Sequence, residues 1–155
     1  MNIKLDDIIN RPFTFTRRKE YLPCEMRPLW RCSLILIIFL LLTTKKRTCS
    51  LKKLYVINWL LKSDKNVIDY SFWVIEQGSI KPEVRMDPML DKAIELLLAE
   101  ELLVRDNEKI KLTKKGELYS FNLLKLNIFE KECDVLNKNK KYLTETNINK
   151  LFQVE

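Results

Sequence analysis

The stretch "LLVRDNEKIKLTKKGELY", Leu102–Tyr119, changes its period partway along. On either side of Asp106-Asn107-Glu108 apolar and polar side chains alternate, the two-residue repeat of a strand, and after Thr113 the spacing becomes helical. Asparagine tolerates positive φ, so residues 103–112 are expected to form a hairpin with Asn107 in its turn. Thr113 then stands where a helix N-cap belongs, so "LTKKG" joins a strand end, a cap and a helix start.

Upstream of the hairpin the helix signals are equally local. Asp87 followed by Pro88 supplies a capping carboxylate and a proline at the first helical position, where its missing N–H costs nothing. Leu90, Ala93, Ile94, Leu97 and Leu98 then recur as a core-facing stripe. Ser50 is placed to cap a helix running to about Lys62, whose Leu51, Leu54, Tyr55, Ile57, Trp59, Leu60 and Leu61 give a wide apolar surface. Ile68, Phe72 and Ile75 mark a short helix that Gly78 would close. After the hairpin, Tyr119, Leu123, Leu126 and Phe129 are spaced to share one face of a closing helix.

The run "LWRCSLILIIFLLLT" is the most apolar in the chain. Its charge-free part, Cys32 to Thr44, is 13 residues, against the roughly 20 that a bilayer-spanning helix needs. With about thirty residues ahead of it and no small-residue cleavage pattern beside it, it is not expected to be a signal peptide. A helix buried on nearly all sides is the expectation, with Ile35, Ile38, Phe39 and Leu42 facing the domain core. Leu34, Ile37 and Leu41 are left for a subunit contact. Before it, "NRPFTFTRRKEYLP" alternates Phe13 and Phe15 with threonines between Pro12 and Pro23, which reads as an extended basic arm.

In order these give helix, helix, short helix, capped helix, two-stranded wing and helix. The expected fold is mainly α (α+β): a winged helix-turn-helix domain over 28–130, with an extended basic arm over 1–27 and a C-terminal helical tail over 131–155.

The net charge of +7 is unevenly spread. Residues 1–50 carry +6, residues 51–104 carry −2 and residues 105–155 carry +3. In a winged-helix DNA reader the third helix enters the major groove and exposes Arg, Lys, Asn and Gln to phosphates and base edges. Here the segment Asp87 to Glu101 carries Asp87, Asp91, Glu95, Glu100 and Glu101 against Lys92 alone, a net −4. Phosphate contacts act by neutralising charge, so such a helix is repelled from DNA. Asp91 and Glu95 are therefore candidate protein-partner residues, together with Arg17, Arg18 and Lys19 of the arm. Arg105, Lys109, Lys111, Lys114 and Lys115 are candidate nonspecific nucleic-acid contacts around the hairpin.

Catalysis has little to draw on. The chain has no histidine for acid–base work, its two glycines, Gly78 and Gly116, make no phosphate loop, and no paired carboxylates flank a nucleophile. Cys24, Cys32, Cys49 and Cys133 form no CxxC pair, so a zinc site would require four scattered thiolates. Free thiols in a reducing cytoplasm are expected, with no metal and no cofactor.

The segments "RPFTFTRRKEYLP", "LWRCSLILIIFLLL", "SLKKLYVINWLL", "VRMDPMLDKAIELLLAEELL" and "IKLTKKGELY", in that order, resemble the small middle component of ABC-three-component systems, the accessory subunit of Lamassu-type bacterial defence. The resemblance spans about residues 11–120. It implies a cytoplasmic, non-catalytic scaffold or regulator between an ABC-type ATPase related to structural-maintenance-of-chromosomes (SMC) proteins and an effector, often a nuclease, acting against phage or plasmid DNA. The alternative is a free-standing winged-helix transcription regulator using its basic wing and arm. A third reading, a peripheral membrane protein anchored by residues 32–44, is weaker, and no membrane partner is expected.

Overall fold

The computed structural model describes residues 23–43, 45–76 and 80–153, and these form seven α-helices and a small three-stranded antiparallel sheet. A 3-10 turn at Cys24–Met26 leads into α1 (Pro28–Leu42), β1 (Thr48–Ser50), α2 (Leu51–Leu60), α3 (Asp64–Ile75) and α4 (Pro88–Ala99). The hairpin strands β2 (Leu103–Asp106) and β3 (Lys109–Leu112) follow, then α5 (Lys114–Lys125), α6 (Glu130–Asn139) and α7 (Glu145–Phe152). The sheet order is β1-β3-β2. The arm triplet Arg17, Arg18 and Lys19, and Gly78, expected to close a helix, lie outside the described residues.

The caps form where short polar side chains precede apolar runs. The side chains of Ser50, Ser63, Asp87, Thr113 and Thr144 each accept a first-turn backbone N–H, a contact worth about 1 kcal/mol. The hairpin pairs Leu103 with Leu112 and Asp106 with Lys109, and Asn107 takes φ 55° in the turn. The third strand, β1, pairs Cys49 with Ile110 and ends on the residue that caps α2.

Helix α1 is covered by the chain itself. Helices α4, α5 and α6 pack against it. Leu34 and Ile37, expected on a subunit-facing surface, are 2% and 0% exposed, and Leu41 is half-buried against the same core. That expectation is corrected: the aliphatic helix has no free second face. One reason is the close approach of α5, which meets α1 through small residues. The Ser120 hydroxyl lies 3.2 Å from the Leu36 carbonyl oxygen and 2.7 Å from that of Gly116. The other reason is the C-terminal segment. Leu136, Leu143, Ile148 and Leu151 belong to the same core as α1, so residues 131–153 complete the domain instead of trailing from it.

Two helices turn differently from their periodicity. On α3 the buried side chains are Tyr70 and Trp73, while Ile68, Phe72 and Ile75 face outwards. The closing helix stops at Lys125, and Asn127 at φ 52° turns the chain. Phe129 is thereby buried against Trp30, with ring centroids 5.6 Å apart, whereas Tyr119 and Leu126 stay exposed.

Gly116 is fixed by space. A Cβ there would stand 2.2 Å from the Leu102 carbonyl oxygen and 2.7 Å from Leu112 Cδ1. Thr113 secures the same junction: its N–H donates to the Leu102 oxygen at 3.1 Å, its hydroxyl to the Glu101 oxygen at 2.8 Å, and it accepts from the Gly116 N–H at 3.0 Å. Among the described residues no helix is long and apolar enough to cross a membrane.

Candidate functional site

Asp87 sets the position of α4. Its Oδ1 accepts the Met89 N–H at 2.9 Å, while its Oδ2 lies 2.7 Å from Arg31 Nη1 and 2.9 Å from Lys62 Nζ. Asn58 joins the group, accepting from Arg31 at 3.2 Å and donating to Asp87 at 3.4 Å. Burial by itself would raise the Asp87 pKa; the donors from Lys62, the Met89 N–H and Arg31 outweigh it and hold the carboxyl well below the usual carboxylate range. One carboxylate thus ties α1, α2 and the start of α4 together.

At its other end α4 closes with an unusual residue. Glu101 adopts φ 58°, the Leu102 N–H bonds the Leu97 oxygen at 3.0 Å and the Glu101 N–H bonds the Leu98 oxygen at 3.1 Å. This is a Schellman closure with a glutamate where glycine is usual. Lys115 donates to the Glu100 carbonyl at 2.8 Å, so it caps α4.

Between α4 and the hairpin lies a cleft of about 220 Å³. Asp91 and Glu95 line its helix side, Arg105, Asn107 and Lys109 its hairpin side, and Leu51, Ile94 and Ile110 its floor. Asp91 accepts a hydrogen bond from the Tyr55 hydroxyl and is half-buried. Burial, and then the bond to Asp91, push the Tyr55 pKa up to about 12. Glu95 remains exposed. The helix wall of the cleft is acidic, and its hairpin wall mixes Arg105 and Lys109 with Glu108.

The candidate residues do not come together as one surface. Cross-strand partners share a face of a sheet. Arg105 pairs with Ile110, which puts it on the inner face, at the cleft, whereas Lys111 pairs with Val104 and Thr48 on the solvent face. Arg105, Lys109, Lys111, Lys114 and Lys115, expected as a basic hairpin edge, are all exposed but divide between the two faces of the sheet and the end of α4. Arg105 and Lys109 line the cleft, Lys115 caps α4, and Lys111 and Lys114 stand clear of both. The expected acidic face of α4 is also reduced. Asp87 and Asp91 are engaged within the chain, and Glu95, Glu100 and Glu101 stay exposed beside Lys92.

Sequence reasoning missed Tyr55, 36 positions from Asp91, because nothing local announces that contact. It also missed Lys45 and Lys46, exposed in the loop before β1. Arg47 brings that loop to β3, its carbonyl accepting the Leu112 N–H at 2.9 Å. Among the described residues no cluster of acidic, cysteine or histidine side chains is arranged to hold a metal ion, and the four cysteines are free. No family model, no curated protein and no solved structure matches the chain.

Proposed function

We propose that this chain is a winged-helix accessory subunit, without chemistry of its own, that links an SMC-like ABC ATPase to an effector nuclease in a cytoplasmic defence complex. The observation that carries the reading is the charge on α4. Where a groove-reading helix exposes cations and amides, this one exposes Glu95, with Glu100 and Glu101 in its closing turn, against Lys92. The winged-helix part is supported by element order: β1 between the first two helices, pairing with β3 of a hairpin that follows a capped helix. Helix α3 is then an insertion before the helix that would read DNA. The defence part rests on the resemblance of the five ordered segments to the middle component of ABC-three-component systems.

In this reading Glu95 and Glu100 meet Arg or Lys of the ATPase, setting orientation and on-rate more than raw affinity. The test is co-expression with the neighbouring genes of its operon, followed by pull-down. Glu95→Lys with Glu100→Lys should lose the partner while the melting temperature holds, and Lys109→Glu with Lys111→Glu should keep it. Full partner recovery by the glutamate pair would overturn the reading.

A second reading, a transcription regulator, is favoured by the outward Lys109 and Lys111 of β3 and by Lys45 and Lys46 beside them. In that case each hairpin lysine contributes about one unit to the salt slope of duplex binding. The lysine pair then loses duplex binding and the glutamate pair retains it.

A further inference from the structure

Two helix faces are apolar, exposed and opposite in charge. On α3, Ile68, Phe72 and Ile75 are 66%, 63% and 55% exposed. Around them stand exposed Asp64, Asp69 and Glu76 against Lys65. Beside this stripe runs a groove of about 760 Å³, with Phe72, Ile80 and Pro82 as its apolar lining and Asp69, Glu76 and Glu83 outnumbering Lys65 and Lys81 among its charged groups. On α5 and the turn after it, Leu118, Phe121 and Leu126 are 63%, 46% and 65% exposed. Their exposed charged neighbours on the helix are Lys114, Lys115 and Lys125. The one acid of that helix, Glu117, is held by Arg47 at 2.9 Å.

Contiguous exposed apolar side chains rimmed by charge mark contact surfaces. We propose that the α3 face of one copy of this chain receives the α5 face of a second copy. Pairing either face with itself sets like charges against each other, acids on acids at α3 and lysines on lysines at α5. Pairing α3 with α5 sets the carboxylates of one copy against the ammonium groups of the next while Leu118 and Phe121 cover Phe72 and its groove. Because the two surfaces differ, the contact is heterologous. Each pair keeps one free face of each kind, and association continues head to tail into a ring or an open chain.

Sedimentation velocity of the full chain over a range of concentrations tests it. The expected result is a series of species growing from dimer upwards, weakened by added salt. Two variants, each losing one face, separate the possibilities: Ile68→Ser with Phe72→Ser, and Leu118→Ser with Phe121→Ser. Each alone should be monomeric with an unchanged melting temperature, its self-association weakened at least ~10-fold. Mixed, they should form a dimer that stops at two copies, since the α5 face of the first meets the α3 face of the second. A wild-type chain that stays monomeric, a single variant that still self-associates, or a mixture that stays monomeric would each overturn the proposal, the first leaving these faces to a different protein.

Discussion

Arg31 and Asp87, 56 positions apart, meet at 2.7 Å with side chains only 9% and 11% exposed. A buried pair of this kind costs desolvation to form, yet removing one partner is severe because the other charge stays buried. Asp87→Ala also removes the α4 cap. It should lower unfolding stability by about 3–5 kcal/mol, read from a denaturant midpoint. The folded Asp87 pKa is depressed, so its contribution is present above the unfolded value near 4 and is lost as pH falls towards the folded one. Asp87→Asn should flatten that acid limb; an unchanged limb would exclude Asp87 as its source.

Gly116→Ala should destabilise the domain. At an ordinary helical site the change gains about 0.5–1 kcal/mol, so the sign is diagnostic. Here the added methyl meets backbone at 2.2 Å, and a loss of roughly 2 kcal/mol or more is expected. Equal midpoints for the two proteins would mean that the α5 start shifts freely.

Leu34→Ala and Ile37→Ala should collapse thermal stability, by about 2–5 kcal/mol each, because both side chains fill the core. Thermal melts compared with partner pull-down decide this: loss of a partner with no change in melting would restore the subunit-facing surface.

Tyr55 gives a test at high pH. Its folded pKa, about 12, lies above the ordinary value near 10, so its contribution is complete below pH 10 and is lost as pH rises to 12. Tyr55→Phe should make stability fall less steeply across that window, as read by chemical denaturation at several alkaline pH values.

Thiol labelling should separate the cysteines. Cys24 is exposed and should react first, whereas Cys49 is buried with its pKa pushed up to about 12 and should react only on unfolding. Labelling of Cys49 at the rate of Cys24 would mean that β1 opens readily.

What the sequence could announce was local. Ser50, Asp87 and Thr113 declare helix starts because a cap bonds an N–H two or three residues on, and Asn107 declares a turn because its own φ must be positive. Periodicity was less informative. The spacing of Ile68, Phe72 and Ile75 marks a face but not whether anything covers it; Tyr70 and Trp73, on the other side, are the ones that pack. Strand β1 was hidden because three residues carry no pattern and Cys49 pairs with Ile110, far along the chain. Glu101 at φ 58° has no sequence signal, since glycine is the residue that usually marks such an end. Of the candidate site, the acids of α4 were legible as a charge imbalance; their division into engaged Asp87 and Asp91 and exposed Glu95 depended on Arg31, Lys62 and Tyr55, which sequence does not place beside them.

Helix α1 leaves the ribosome before the helices that shelter it. Its partners α4, α5 and α6 lie downstream, and roughly a hundred residues must be added after Leu42 before α6 has emerged. At ~5–20 residues per second that is about 5–20 s during which a nearly continuous aliphatic segment waits uncovered in the nascent chain. The same side chains that hold the finished domain together make its birth a demand on holdase chaperones, and a chain stalled before α6 presents the cell with an aggregation-prone fragment.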